Sequence, residues 1–142
     1  MEIISLFRGS KAFLSNMYEC NIVYKGVSYK NAEAAFQAQK CIDIKEQEKF
    51  ADLSGVNAKK YGKQVKLRAD WNNVKLKIMQ EIIHCKFTQN EHLRQKLLNT
   101  DDAYIEEANW WRDTYWGTYK GVGYNMLGKI LMSERSKLVN DR

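Results

Sequence analysis

The chain contains no proline, only two histidines, three cysteines and eight glycines. Without proline there is no proline-rich linker, and no repeat, low-complexity tract or break in composition marks a domain boundary. The cysteines, Cys20, Cys41 and Cys85, are odd in number and form no close-spaced pair. That excludes a disulfide framework and fits a reducing compartment. His84 and His92 show no HExxH arrangement and have no cysteine pair beside them, so no zinc site or other metal is expected. His84 and Cys85 are neighbours in sequence, and adjacent helical side chains point about 100° apart, which argues against a nucleophilic dyad. A P-loop is missing, and Gly121-Val-Gly123 reads as following a loop rather than a strand, so no dinucleotide fingerprint is present. No apolar run reaches the roughly 18 residues of a membrane span, and "MEIISLFRGSK" lacks an early basic region. The expectation is a cytoplasmic protein with no membrane partner.

What is present suits a folded domain. At 142 residues the chain is long enough for one hydrophobic core, and the reading is a single domain over 1–142. Eight tyrosines, five phenylalanines and four tryptophans are too many for a disordered polar chain. The formal net charge is +6 and the sequence pI about 9.2. Such a surplus favours anionic partners, among them nucleic acid, nucleotides and phosphorylated metabolites, and serves solubility equally well.

The first segments read as extended. "EIISLF" is β-branched, and "NIVYKGVSY" places two short runs around a Lys25-Gly26 turn, with "GSKAFLSNMY" as a loop between. From Asn31 the period becomes helical. Asn31 can cap a helix whose first turn carries Glu33. "KEQEKFADL" predicts a second helix, broken at Ser54-Gly55, and "AKKYGKQVKL" follows Asn57. Asp70 is positioned to cap the longest helix, Trp71 to about Phe87, in which Trp71, Val74, Ile78, Ile82 and Cys85 form a core-facing stripe. "EHLRQKLLNT" adds a short helix, "AYIEEA" a short strand, and "MLGKILMSERSKLV" a closing amphipathic helix. The fold class is α+β, mostly helical, with a few short N-terminal strands.

Three constellations could carry chemistry. In "NAEAAFQAQK", residues 31–40, Glu33, Gln37 and Lys40 fall within roughly 60° on a helical wheel, with Phe36 beside them. Ala34, Ala35, Ala38 and Ile42 take the opposite, packing side. The polar side is a solvated face or one wall of a pocket; the Glu33–Lys40 span of about 10 Å would suit gripping a ribose from two sides. A glutamate can act as general acid or base, and a lysine of lowered pKa as a Schiff-base nucleophile. The second, "NWWRDTYWGTYKGVGYN", crowds aromatics and glycines into one loop, either pinned to the core or open for stacking on bases. The third is the basic run Lys59, Lys60, Lys63, Lys66 and Arg68. There 59, 63 and 66 would share one helical face, solvated or turned to phosphate.

Five segments in order, "FLSNMY" (13–18), "NAEAAFQAQK" (31–40), "YGKQVKLRADW" (61–71), "HCKFTQNEHLRQKLLNT" (84–100) and "DTYWGTYKGVGYNMLGKILMSER" (113–135), resemble the blocks of the NADAR family. That family shares its fold with the riboflavin-intermediate N-glycosidases. The resemblance implies a compact, largely helical α+β domain that cleaves N-glycosidic bonds at a phosphorylated or ADP-linked ribose without metal or other cofactor. Some members hydrolyse early riboflavin-pathway intermediates; others look like glycohydrolases removing ADP-ribose from modified guanine in nucleic acid. The implied partners are therefore ADP-ribosylated nucleic acid or a phosphorylated ribose-containing small molecule. By position, Glu33 becomes an acid/base or ribose-orienting group and Lys40 a Schiff-base lysine. Asp113 joins them as a catalytic candidate. Asn16, Gln37, Trp71, Trp116, Gly117 and Asn125 become substrate contacts. Two positions depart from the pattern: Asn31 where serine is frequent, and Ala34 where histidine is frequent.

Overall fold

The computed structural model describes residues 2–141. Strand β1 (Ile3–Ile4) leads into a 3-10 helix, Gly9–Leu14, and then the strands β2 (Ile22–Tyr24) and β3 (Val27–Tyr29). Helices α1 (Ala32–Ala38), α2 (Ile44–Glu48), α3 (Gly55–Gly62), α4 (Trp71–Gln89) and α5 (Glu91–Leu98) follow. Strands β4 (Tyr104–Ile105), β5 (Ala108–Asn109) and β6 (Thr118–Tyr119) precede the last helix, α6 (Met126–Asn140). This is an α+β architecture. Its strands are not confined to the N-terminal part: β4, β5 and β6 lie in segments read as one strand and a loop. The strand β6 also places Gly121 after a strand rather than after a loop.

The chain divides into two compact units, Asn16–Asn90 and Met1–Ser15 with Glu91–Arg142. In Asn16–Asn90, β2 and β3 form an antiparallel hairpin with Ile22 opposite Tyr29 and Tyr24 opposite Val27. Its turn residues, Lys25 and Gly26, both have positive φ, 50° and 86°. That is the primed turn whose twist matches paired strands. Asn31 caps α1 as anticipated, its Oδ1 accepting the Ala34 N–H at 2.7 Å. Ala32, Ala34, Ala35 and Ala38 are fully buried, and this small-residue surface lets α3 and α4 close onto α1. Ile42, read as part of that surface, is instead 74% exposed, because α1 ends at Ala38.

Two helices differ from their sequence reading for local reasons. Helix α2 is capped by Asp43 and stops at Glu48. The chain then turns to bury Phe50 completely, its ring 5.0 Å from Tyr61. Ser54-Gly55 is not a break but a start, since the Ser54 Oγ accepts the Asn57 N–H at 3.2 Å. Helix α3 then ends at Gly62, so Lys59, Lys63 and Lys66 do not share a helical face. Asp70 precedes α4 without capping it, because the Arg68 guanidinium takes both its oxygens, at 2.6 and 3.1 Å. Of the α4 stripe, Trp71, Ile78 and Ile82 are buried, with Met79, Ile83 and Phe87 alongside, while Val74 and Cys85 are only partly buried.

In the other unit, β1 runs parallel to β4, with Ile4 beside Ile105, and β5 runs parallel to β6. Leu93, Leu97, Leu127, Ile130, Leu131 and Leu138 form the apolar faces of α5 and α6. "GSKAFL", read as loop, winds as the 3-10 helix and buries Phe13 and Leu14. Among the described residues no helix is long and apolar enough to cross a membrane.

Candidate active site on the first helix

Helix α1 places Glu33 one turn below Gln37, and the Gln37 Nε2 donates to the Glu33 Oε2 at 2.7 Å. The backbone N–H of Glu33 donates to the carbonyl of Asn16 at 2.9 Å. Glutamate in the first turn also faces the positive end of the helix dipole. The carboxylate is thus held by an amide and by its own helix, with its side chain half-buried.

Two buried amide residues contact Glu33, Gln37 through its side chain and Asn16 through its backbone. Asn16 and Gln37 are both buried, and their Oδ1 and Oε1 atoms have no hydrogen-bond partner. An orphaned buried acceptor costs about 1–3 kcal/mol; the Gln37 Oε1 is turned toward Gly62 of α3, where a Cβ would collide with it. The Asn16 Nδ2 donates to the Met79 sulfur at 3.5 Å. Trp71, at the start of α4, is buried with its ring 5.0 Å from Phe36, tilted by 52°.

Lys40 lies two residues past the end of α1, in a turn that continues the helical sense, with its N–H on the Gln37 carbonyl at 3.2 Å. Its ammonium donates to the Gly62 carbonyl at 3.4 Å. Burial pushes its pKa below the ordinary lysine value; the Glu33 charge opposes that fall and the Lys63 charge adds to it. Glu33 and Lys40 are therefore electrostatically coupled, as a shared helical side requires.

Gly62 serves both residues. A Cβ there would run into the Gln37 side-chain amide. Gly62→Ala is expected to push that amide off Glu33, although alanine is the better helix former by about 1 kcal/mol. The result is a net destabilisation of about 1–3 kcal/mol and displaced Gln37 side-chain amide resonances in a nitrogen–proton spectrum. Unmoved resonances would show that Gly62 plays no such part.

On the other side of Lys40 opens a cleft of about 700 Å³, lined by Lys40, Tyr61, Lys66 and Arg68 among others. Glu46, the acid in that lining, is held by Lys49 at 3.1 Å. Arg68 also fastens the end of α1: its N–H donates to the Lys40 carbonyl at 2.9 Å and its Nη1 to the Gln39 carbonyl at 3.4 Å.

The remaining candidates lie in the unit containing Glu91–Arg142 and build a loop there. Asp113 accepts the Tyr115 and Trp116 N–H groups on one oxygen, at 3.0 and 2.9 Å. The half-buried ring of Trp116 meets Tyr115 edge-on at 4.8 Å. Gly117 is buried against the Glu107 carbonyl, where a Cβ would collide. Asn125 is buried and left-handed, with φ 53°. Its Oδ1 accepts the Glu107 N–H at 3.0 Å and its Nδ2 donates to the Ile105 carbonyl at 2.9 Å. In this structure the side-chain amide of Asn125 is thus engaged with the backbone of its own unit. Among the described residues no three His, Cys, Asp or Glu side chains gather into a group that could hold a metal ion.

The NADAR domain family matches residues 6–139. The chain belongs to that family. The N-glycosidase YbiA of Escherichia coli strain K12 is 34% identical over 132 residues, covering 90% of this chain and 82% of YbiA. A riboflavin biosynthesis protein of Vibrio vulnificus strain YJ016 is 35% identical over 130 residues, 89% of this chain, and this chain spans only 35% of that protein. The NMR structure of the E. coli protein YbiA superposes with a TM-score of 0.87 at 32% identity, covering 99% of this chain and 86% of that one. The NADAR fold is therefore shared over nearly the whole length.

Within this NADAR chain, Glu33, Gln37, Lys40, Asn16 and Trp71 all fall in the unit Asn16–Asn90. Gly62 and Arg68 were missed as individual site residues. The signal for Gly62 was a glycine inside a helical stretch, opposite an alanine-rich helix. Arg68 stood at the end of a lysine run that read as one face, and nothing local distinguished it from the lysines.

Proposed function

We propose that this chain is an N-glycosidase acting at the anomeric carbon of a ribose, and that its substrate is guanine carrying ADP-ribose within a nucleic acid. The observation that supports it best is the half-buried Glu33 carboxylate, held by the Gln37 amide at 2.7 Å and electrostatically coupled to the partly buried Lys40. A carboxylate can accept hydrogen bonds from ribose hydroxyls on adjacent carbons, and a lysine of lowered pKa can attack an anomeric carbon. The name of the relative YbiA, N-glycosidase, agrees with the reaction class.

In the proposed reaction the C1′–N bond breaks, its electron pair passes to the base nitrogen, and that nitrogen takes up the proton that the Lys40 amine gives up as it bonds to C1′. The positive charge that develops at C1′ is stabilised by the Glu33 carboxylate. The neutral amine of Lys40 bonds to C1′, and when the iminium forms the ring oxygen leaves with the C1′–O electron pair and takes a proton from water to become a hydroxyl. Water then hydrolyses the iminium, releasing ADP-ribose and restoring the lysine. Lys40, Lys66 and Arg68 give the adjoining cleft the cationic lining a diphosphate needs.

A second reading, hydrolysis of phosphorylated riboflavin-pathway intermediates, is favoured by the names of relatives such as the V. vulnificus protein. It uses the same residues. A substrate panel separates the two: an ADP-ribosylated guanosine oligonucleotide and the phosphoribosyl-aminopyrimidine intermediates, with product release followed by chromatography. ADP-ribose release from the oligonucleotide is expected. Release only from the pyrimidines would transfer the assignment, and binding without release from any substrate would make the chain a recognition module.

A further inference from the structure

The segment Asn109–Asn125 exposes apolar rings in a way its own unit does not explain. Trp110 is 82% exposed, Tyr124 67% and Trp111 44%. These rings are not on a slack loop. The Asn109 side chain closes the tip reciprocally, its Nδ2 donating to the Asp113 carbonyl at 2.8 Å and its Oδ1 accepting the Asp113 N–H at 3.0 Å. The Asp113 carboxylate braces the next turn through Tyr115 and Trp116. Trp110 and Trp111 are therefore held outward, their rings edge to face at 5.6 Å. Holding indoles in water on a braced loop costs apolar burial, which points to an occupant.

The charges identify its chemistry. Arg112 stands at the same tip in a left-handed conformation, φ 67°. Lys120 follows in the next turn, its ammonium 5.3 Å from the centre of the Tyr119 ring. Asp113 is the acid of this segment, and its braced oxygen faces backbone amides. Exposed rings interleaved with cations fit a strand of stacked bases and phosphates, and the chain's charge of +6 adds to the attraction.

We propose that the Trp110-Trp111-Arg112 tip, with Tyr124, is a stacking platform for single-stranded nucleic acid. The proposal rests on the reading of a nucleic-acid substrate and deepens it, naming the strand around the modified base as what this loop grips. Binding is measured without turnover, by anisotropy of dye-labelled, unmodified oligothymidylate and oligouridylate at about 50 mM salt. Saturable binding of either strand is expected, weakened about tenfold by Trp110→Ala and largely restored by Trp110→Phe. Arg112→Ala is expected to lower the slope of log affinity against log salt by about 0.7. Cleavage of an ADP-ribosylated guanosine nucleoside should be unchanged in these variants, which separates failure of the platform from failure of the proposed reaction. No saturable binding, or a Trp110→Ala/Trp111→Ala variant that binds like the wild type, overturns the proposal. So does a Trp110-dependent dimer in sedimentation that oligonucleotide does not dissociate.

Discussion

Lys40→Arg is expected to lower turnover about a thousandfold and to abolish borohydride trapping of substrate on the protein. Arginine keeps the positive charge and the reach but does not give up a proton at accessible pH, so it forms no Schiff base. Glu33→Gln is expected to cost a similar factor, because it removes the carboxylate that faces the developing charge while keeping the amide-sized shape that Gln37 holds. Glu33→Gln and Lys63→Gln make opposite demands on pH, which turns that pair into a strict test.

Burial holds the Lys40 pKa below its ordinary value and Glu33 pulls it back up. The reactive form is the neutral amine, so trapping rises with pH through that pKa. Removing the Glu33 charge leaves burial less opposed, and the trapping profile of Glu33→Gln must shift toward lower pH. Lys63 acts with the opposite sign. Lys63→Gln removes a like charge, raises the Lys40 pKa and moves the profile toward higher pH. Mass spectrometry of the reduced adduct gives both the profile and its position. A profile that stays in place in both variants, or an adduct on another lysine, would refute the assignment of Lys40.

Much of this was legible from local pattern. Asn31 and the Lys25-Gly26 turn are determined by residues within three or four positions, and α6 by its own amphipathic run; these stand where they were read. The pairing of Glu33 with Lys40 on one side of a helix was also visible, since a spacing of seven closes two turns. What escaped depended on a choice among competing partners, some near and some far in sequence. Gln37 rather than Lys40 is the direct partner of Glu33, and it is kept there by a gap at Gly62 that no wheel reveals. The lysine stripe failed because α3 stops at Gly62, ahead of Lys63 and Lys66. Asp70 failed as a cap because Arg68, two residues before it, competes with the helix for the same carboxylate. Lone polar residues offered several partners each, and tertiary packing chose among them.

The second large effect concerns stability and one residue read only as part of a motif. Lys86, on α4, is completely buried, its ammonium 5.9 Å from the centre of the Tyr18 ring and 5.3 Å from that of Phe87. Burial pushes its pKa down from 10.5 to about 8, with Cys20 opposing the fall. The folded state therefore resists protonation that the unfolded chain accepts. Below about pH 8 both states carry the proton and the cost of burying the charge is constant. Between about 8 and 10.5 only the unfolded chain is protonated, so stability rises with pH by about 1.4 kcal/mol per unit. The gain is about 2–3 kcal/mol by pH 10. Tyr29, held up to about 12, Tyr24, which is also raised, and the raised thiols of Cys20 and Cys41 act in the other direction at the alkaline end. In these groups the unfolded state loses protons that the fold retains. Comparing wild type with Lys86→Met in urea unfolding at pH 7, 8, 9 and 10 largely cancels the tyrosine and Cys41 contributions, leaving Cys20 as the group coupled to Lys86. Methionine keeps an apolar stem of similar length and removes the titrating group. The stability of wild type relative to the variant should rise by about 2 kcal/mol from pH 7 to pH 10. A difference that stays constant across that range would show that Lys86 is not buried as a suppressed cation.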